Sequence, residues 1–258
     1  MENIYINGQD QPKLAAYTFM PEDNYSYVLI VCHGFRGAKE NGGRIFNFAE
    51  RINALGMGLI AFDFSGSGLS EGDFADVSLS RQLEDLKRVI AYAHKRYSKE
   101  VILLGRSFGG STVLAAGGCI NEKVAGYILW STPVNLYKTF ANTINEFNRV
   151  RYNKYLEIKD DSGSYKLKPT LIEDFANHDM NKNMLNIGYK PVLVIHGRKD
   201  ATVSPSNALC IYENCPEAEL HIIAGADHRF SQNIVEREDI TLKWLKKTFC
   251  RRSMFSKK

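Results

Sequence analysis

The stretch from Val101 to Gly118, "VILLGRSFGGSTVLAAGG", decides the reading of the chain. Four apolar residues, Val101 to Leu104, have the character of a strand buried on both faces. The small residues from Ser111 to Gly117 suit a helix that opens directly behind it. Between the two stands Gly-Arg-Ser-Phe-Gly. A serine at a sharp strand-to-helix turn sits in strained backbone geometry, so its neighbours must lack bulk, and Gly105, Gly109 and Gly110 meet that need. A bare G-x-S-x-G arises by chance in about one chain in ten of this length. The strand before it and the helix after it are therefore what make Ser107 a candidate nucleophile rather than a turn residue.

Working outward, apolar runs recur at Tyr27–Cys32, Gly58–Phe64, Val124–Trp130, Pro191–His196 and Glu219–Ala224. Near-continuous apolar strands of this kind belong to a parallel sheet covered on both faces. Leu79, Leu83, Leu86, Val89, Ile90 and Ala93 recur at helical spacing, as do Phe46, Ala49, Ile52 and Leu55, and a last helix fits Ile234–Phe249. Tyr5–Ile6 and Leu14–Phe19 are expected to add an antiparallel edge. The fold class is thus α/β, a three-layer sandwich with a mostly parallel sheet, and 258 residues suffice for one large core. The alternation of strand and helix stops from Pro133 to Tyr189, where Tyr137, Phe140, Phe147, Tyr152, Tyr155, Tyr165 and Phe175 accumulate. Within that interval, "YLEIKDDSGSYKLK" alternates on either side of Asp-Ser-Gly and reads as a β-hairpin. The expected division is a core of residues 1–132 and 190–258 with a lid or cap insertion at 133–189.

A serine hydroxyl needs a base at neutral pH, and histidine suits the task. His94 falls within a helix, His196 and His221 within strands, His178 in the insertion, and His33 at a strand end. His228, in "AGADHRF", follows the last strand in a polar loop, on the side of the sheet where Ser107 emerges. The base needs an acid to fix its tautomer. Asp200, a short loop beyond the penultimate strand, is preferred over Asp227, because neighbours in an extended loop point apart and Asp227 adjoins His228. The blander role for Asp200 is to cap the helix near Pro205. Backbone N–H groups of Phe108, after the serine, and Phe35, in "VCHGFRG", are candidates to hold an oxyanion.

Other functions lose support at this point. The net charge of +4 is small, and the basic end "KKTFCRRSMFSKK" reads as a solvated tail, so no nucleic-acid partner is expected. No apolar run approaches a membrane span, and the polar start "MENIYINGQDQPK" is no secretory signal. Five cysteines without C-x-x-C spacing read as reduced thiols, which points to a cytoplasmic protein without disulfides or a zinc site. "GSGLSEG" misses both the dinucleotide fingerprint and the phosphate loop, so no cofactor and no metal are expected.

Taken together and in this order, "HGFRG", "DFSGSGLSEG", "GRSFGG", "HGRKDATVSP" and "GADHRF" resemble the α/β-hydrolase family over nearly the whole chain. The resemblance is nearest to the branch of serine aminopeptidase-like hydrolases, monoacylglycerol lipases and cinnamoyl or feruloyl esterases. It implies Ser107, Asp200 and His228 as a catalytic triad, with Phe35 and Phe108 as oxyanion-hole donors. The activity it implies is cleavage of carboxylic esters of small to medium acyl or aryl-acrylic acids through an acyl-enzyme. A peptidase or amidase remains an alternative, with Asp160, Asp161, Glu173 and Asp174 available to hold a free amine, as does a non-catalytic small-molecule receptor. The partner is a small-molecule ester; a homodimer is left open. One residue departs from the branch: Arg106 stands where histidine or glutamine is frequent. A guanidinium at a tight turn is expected to need an acidic partner.

Overall fold

The computed structural model describes residues 1–8, 10–22, 25–149, 155–160 and 163–250. Its strands are β1 (Glu2–Gly8), β2 (Gln11–Phe19), β3 (Tyr27–Cys32), β4 (Met57–Phe62), β5 (Glu100–Arg106), β6 (Val124–Trp130), β7 (Leu156–Asp160), β8 (Gly163–Leu167), β9 (Val192–Gly197) and β10 (Ala218–Ile223). The helices are α1 (Arg44–Asn53), α2 (Leu79–Tyr97), α3 (Phe108–Gly117), α4 (Leu136–Thr139), α5 (Ala141–Arg149), α6 (Thr170–Glu173), α7 (Met180–Ile187), α8 (Ser206–Asn214) and α9 (Ile234–Leu245).

Among the described residues, eight strands form one sheet in the order β1-β2-β4-β3-β5-β6-β9-β10. Pairing is parallel from β4 to β10, and β1 and β2 make the antiparallel edge. The order reverses between β3 and β5, and there the loops leaving the two strands diverge and open a crevice at the carboxyl ends.

Alternation along each strand divides the core in two. Val101 and Leu103 of β5 pack under α2, α3, α7 and α8; Ile102 and Leu104 pack under α1 and α9. This is the three-layer sandwich that continuous apolar strands demand. α2 begins where the Ser78 hydroxyl accepts the Arg81 N–H, and it buries Leu79, Leu86, Val89, Ile90 and Ala93. α1 turns a slightly different face inward than its spacing predicts, burying Ile45, Phe48, Ala49 and Ile52. Phe46 instead lies partly exposed against the rings of Tyr17 and Phe19. The strand expected to reach Phe64 ends at Phe62; Asp63 keeps one bond to the Ala15 carbonyl of β2 while its side chain accepts from the neighbouring loop. The last helix likewise ends at Leu245 and passes into a wider turn, Lys246–Cys250.

Between β6 and β9 the chain forms α4, α5, the two-stranded hairpin of β7 and β8, α6 and α7. Asp161 and Ser162 of the expected turn, Tyr152, and the basic residues from Arg251 onward lie outside the described residues. Besides bonds from the Ser111 hydroxyl to the Pro133 carbonyl and from the Asn186 side chain to the Gly118 carbonyl, three anchors fix this interval to the sheet-bearing part. Ser80 donates its hydroxyl and backbone N–H to Asp174, with His178 2.9 Å from the same hydroxyl. Burial pushes the Asp174 carboxyl up, but these bonds outweigh it and hold it well below the usual carboxylate range. The Lys168 N–H donates to the Ala75 carbonyl while its ammonium pairs with Asp76. At the third anchor the Asn207 side chain accepts the N–H groups of Val134 and Asn135. No described helix is long and apolar enough to cross a membrane.

Candidate active site

Ser107 caps α3 at the carboxyl end of β5 with φ 52° and ψ −126°, a conformation that costs a side-chain-bearing residue about 1–3 kcal/mol. Its N–H donates to the Trp130 carbonyl at 2.8 Å, and its carbonyl accepts from Gly110 and Ser111, so the turn is held from both sides. The turn is possible because backbones touch: a Cβ on Gly105 would lie 2.5 Å from the Gly109 carbonyl oxygen, and one on Gly109 would overlap the His33 and Cys32 carbonyls.

His228 Nε2 lies 3.0 Å from Ser107 Oγ, and its Nδ1 lies 2.8 Å from Asp200 Oδ2. Asp200 Oδ1 accepts the N–H groups of Thr202 and Val203, so the acid also shapes the turn that leads to α8. Burial pushes the Asp200 carboxyl up, yet hydrogen bonds from His196, His228 and the Val203 N–H hold it well below the usual carboxylate range. An ionised Asp200 is acceptor only, so His228 Nδ1 carries the proton and Nε2 is left to accept from the serine hydroxyl. The loops bearing acid and base are tied directly, since Lys199 N–H donates to the Ala226 carbonyl. Asp227 points elsewhere: exposed, it accepts the N–H groups of Arg229 and Ser231.

Sequence spacing did not reveal His196. It is fully buried on β9, donates from Nε2 to the Val203 carbonyl at 2.9 Å, and lies 3.2 Å from Asp200 Oδ2. The i, i+4 placement of His196 and Asp200 was the available signal, but a strand histidine reads as core until the following loop folds back on it.

The loop after β3 is equally constrained. His33 Nδ1 donates to the Gly34 carbonyl and Nε2 accepts the Phe64 N–H, while burial pushes its pKa down and keeps it neutral. Gly34 lies against Ser107, where a Cβ would be 3.2 Å from the serine Cβ. Next in the chain, the Phe35 N–H has no acceptor among the described residues, nor has that of Phe108 at the start of α3. Lys39 closes the loop: its N–H donates to Asp63 Oδ1 at 2.6 Å and its ammonium to Asp63 Oδ2 at 2.8 Å, both side chains buried. Lys39→Met leaves Asp63 a buried, unpaired carboxylate, so urea unfolding is expected to show a loss of about 3–5 kcal/mol.

Phe35 also begins an aromatic cluster that spans the crevice. Its ring meets Phe74, Phe108, Phe140 and Tyr165 at centroid distances of 5.2–6.2 Å, and Phe108, Phe140 and Phe175 contact one another. The Arg36 guanidinium covers the Tyr165 ring at 4.0 Å. Among the described residues Arg106 forms no ion pair with the acid expected of it: Nη1 donates to the Asn41 side-chain oxygen at 3.3 Å, and Nε is buried with no acceptor. Among the described residues, no His, Cys, Asp and Glu side chains gather as a metal site would require.

Comparison with known proteins identifies the family. The family model described as serine aminopeptidase, S33, matches residues 24–188, more than half of the chain. The chain belongs to the serine aminopeptidase S33 family. Its β5–α3 turn lies inside the matched span, whereas Asp200 and His228 follow it. Among curated relatives, the quorum-quenching protein AidA of Acinetobacter baumannii is 36% identical over 118 residues, 44% of this chain and 38% of that protein. The palmitoyl-protein thioesterase ABHD10, mitochondrial, of Rattus norvegicus is 25% identical over 74% of this chain and 66% of its own length. The first relatives are thus spanned over less than two thirds of their length. The human ABHD10 is 25% identical over 92% of this chain and 76% of its own. Among solved structures, Est1E from Butyrivibrio proteoclasticus with ferulic acid superposes with a TM-score of 0.79 at 24% identity, covering 95% of this chain and 98% of that one. This S33 chain therefore has the α/β-hydrolase fold of esterases and thioesterases.

Proposed function

We propose that this protein is a serine hydrolase that cleaves carboxylic esters of small to medium acyl or aryl-acrylic acids, with Ser107 as nucleophile, His228 as base and Asp200 as its acid. The observation that supports this reading is the line of hydrogen bonds from Ser107 Oγ through His228 to a buried, ionised Asp200. Ser107 Oγ attacks the ester carbonyl carbon as its proton passes to His228 Nε2. The carbonyl oxygen takes up negative charge and is held by the N–H groups of Phe35 and Phe108. Collapse breaks the bond to the alcohol, which leaves with the proton from His228. Water, deprotonated by the same nitrogen, then attacks the acyl-enzyme and frees Ser107. A thioester would follow the same steps with a thiol leaving; the ABHD10 relatives carry the thioesterase name.

The family's aminopeptidase name raises the amide reading, but the charges here favour esters. Asp174 is bound to Ser80 and His178, Glu173 is exposed, Arg106 precedes Ser107, and His228 stands between Arg229 and Asp227, whose carboxylate is taken up by backbone N–H groups. Positive neighbours repel a free ammonium.

The test is incubation with a fluorophosphonate followed by mapping of the adduct, alongside turnover of nitrophenyl esters and matched anilides. An adduct on Ser107 with esters well ahead of anilides is expected; an adduct on another serine rejects the assignment. In this reading residues 133–189 act as a lid, and Phe35, Phe108, Phe140 and Phe175 line the acyl pocket. Each methylene packed on them gains about 0.8 kcal/mol, about fourfold in kcat/KM, until the space is full. Rates on nitrophenyl esters should climb from acetyl to butyryl or hexanoyl and then fall, and Phe140→Ala should move the optimum to longer chains. A steady rise to palmitoyl would instead indicate a long-chain lipase or thioesterase pocket.

A further inference from the structure

Resting on the serine-hydrolase reading, we infer that an anion-binding subsite lies beside Ser107 on the leaving-group side, formed by Arg106, Arg229 and Arg44, and that it takes a carboxylate or phosphate carried by the alcohol part of the ester. Arg106 immediately precedes Ser107 and Arg229 immediately follows His228, so both reacting side chains have an arginine as chain neighbour. Strand alternation sends Arg106 to the same face of β5 as Ile102 and Leu104, the face under α1 and α9. The aromatic cluster of Phe108, Phe140 and Phe175 belongs to the opposite core. An acyl group on those rings puts the alcohol on the Arg106 side, where His228 delivers its proton.

The three guanidiniums have only partial counter-charge. None of them forms an ion pair among the described residues, and Arg106 has only the long bond to Asn41 and a buried Nε without an acceptor. Arg44 and Arg229 are exposed, yet they stand close enough to Arg106 for their repulsion, added to its burial, to push its pKa down. Asp227 offsets this, but its carboxylate is held by backbone N–H groups. Burial, with further repulsion from Arg106 and Arg44 partly offset by Glu238, pulls the neighbouring Arg237 down to about 10. The first turn of α1 carries Arg44 and no acid, and no side chain caps it, so the positive end of that helix adds to the same field. Like charges gathered at a cost are compensated by an anion, and guanidinium forks match the oxygens of carboxylate and phosphate.

Three acetyl esters separate the outcomes: 3-acetoxybenzoate, 3-acetoxyphenyl phosphate and the neutral 3-acetoxybenzamide, each rate divided by its hydroxide-catalysed rate. At low ionic strength kcat/KM on at least one anionic ester should exceed that on the benzamide by about tenfold or more, as charge-assisted hydrogen bonds allow. Which anion is preferred identifies the source. The preference should shrink with added salt and fall in the double variant Arg44→Gln/Arg229→Gln, whose exposed positions leave the serine turn intact. Arg106→Gln should lower it further. Because the readout is a ratio, a general loss of activity cancels. Equal rates on the three esters, or a preference that survives in the double variant and in Arg106→Gln, overturns the subsite. No turnover of any of the three would reject the serine-hydrolase reading itself.

Discussion

On the serine-hydrolase reading, Ser107→Ala is expected to lower kcat on a nitrophenyl ester by about 10³-fold or more and to abolish fluorophosphonate labelling, while urea unfolding stays cooperative. The size follows from the chemistry: without Oγ, acylation is lost, and what survives is direct attack by water with oxyanion stabilisation alone. The fold survives because alanine occupies the φ of 52° at much the same cost as serine, and the N–H bond to Trp130 and the carbonyl bonds from Gly110 and Ser111 are backbone bonds. Rapid kinetics with native and variant protein give both numbers. A variant that keeps more than about a tenth of native kcat would mean that the nucleophile lies elsewhere.

Asp200→Asn is expected to lower kcat by about 10³–10⁴-fold, and Asp227→Asn by far less. An asparagine amide facing His228 can donate to Nδ1 and so draw the proton to Nε2, which is then unable to accept from Ser107. The same substitution weakens the bond from His196 and neutralises a carboxylate held well below its usual range, so stability falls as well as activity. The stability change has a defined pH dependence. Because the folded pKa of Asp200 is depressed, the advantage of native over Asp200→Asn is present above the unfolded value of about 3.9 and is lost as pH falls through the folded value. Thermal melts from neutral pH to below 3 should show the two proteins converging. Asp227 makes its bonds to the amides of its own turn, so its loss alters that turn without touching the proton on His228. A larger kcat loss in Asp227→Asn than in Asp200→Asn would exchange their roles.

The parallel strands could be read from the sequence because a strand buried on both faces must be apolar throughout, and Tyr27–Cys32 and Val124–Trp130 carry that requirement in their own residues. The helical face of α2 was legible for the same reason. α1 was read correctly at Ala49 and Ile52 but not at Phe46, which is apolar yet sits partly exposed at the sheet's edge against the rings of Tyr17 and Phe19 of β2. Periodicity reports that a face is apolar; it does not report what covers it.

At the site, local sequence determined the parts whose geometry is set by the backbone. The glycines around Ser107 fix a turn that only closely approaching chains can make, and the loops bearing Asp200 and His228 had to leave at the carboxyl ends of β9 and β10. Tertiary structure decided the rest, because it depends on residues far apart in the chain meeting in one place. His196 joins Asp200 only when the loop between them folds back, and Lys39 finds Asp63 across 24 residues. The charge around Arg106 is the sharpest case. The sequence called for an acid beside it, but the loop before α1, the start of α1 and the His228 loop bring Asn41, Arg44 and Arg229, with only Asp227 to offset them. A local pattern can require that a buried charge be met; only the packing of separate elements determines which side chain, or which ligand, meets it.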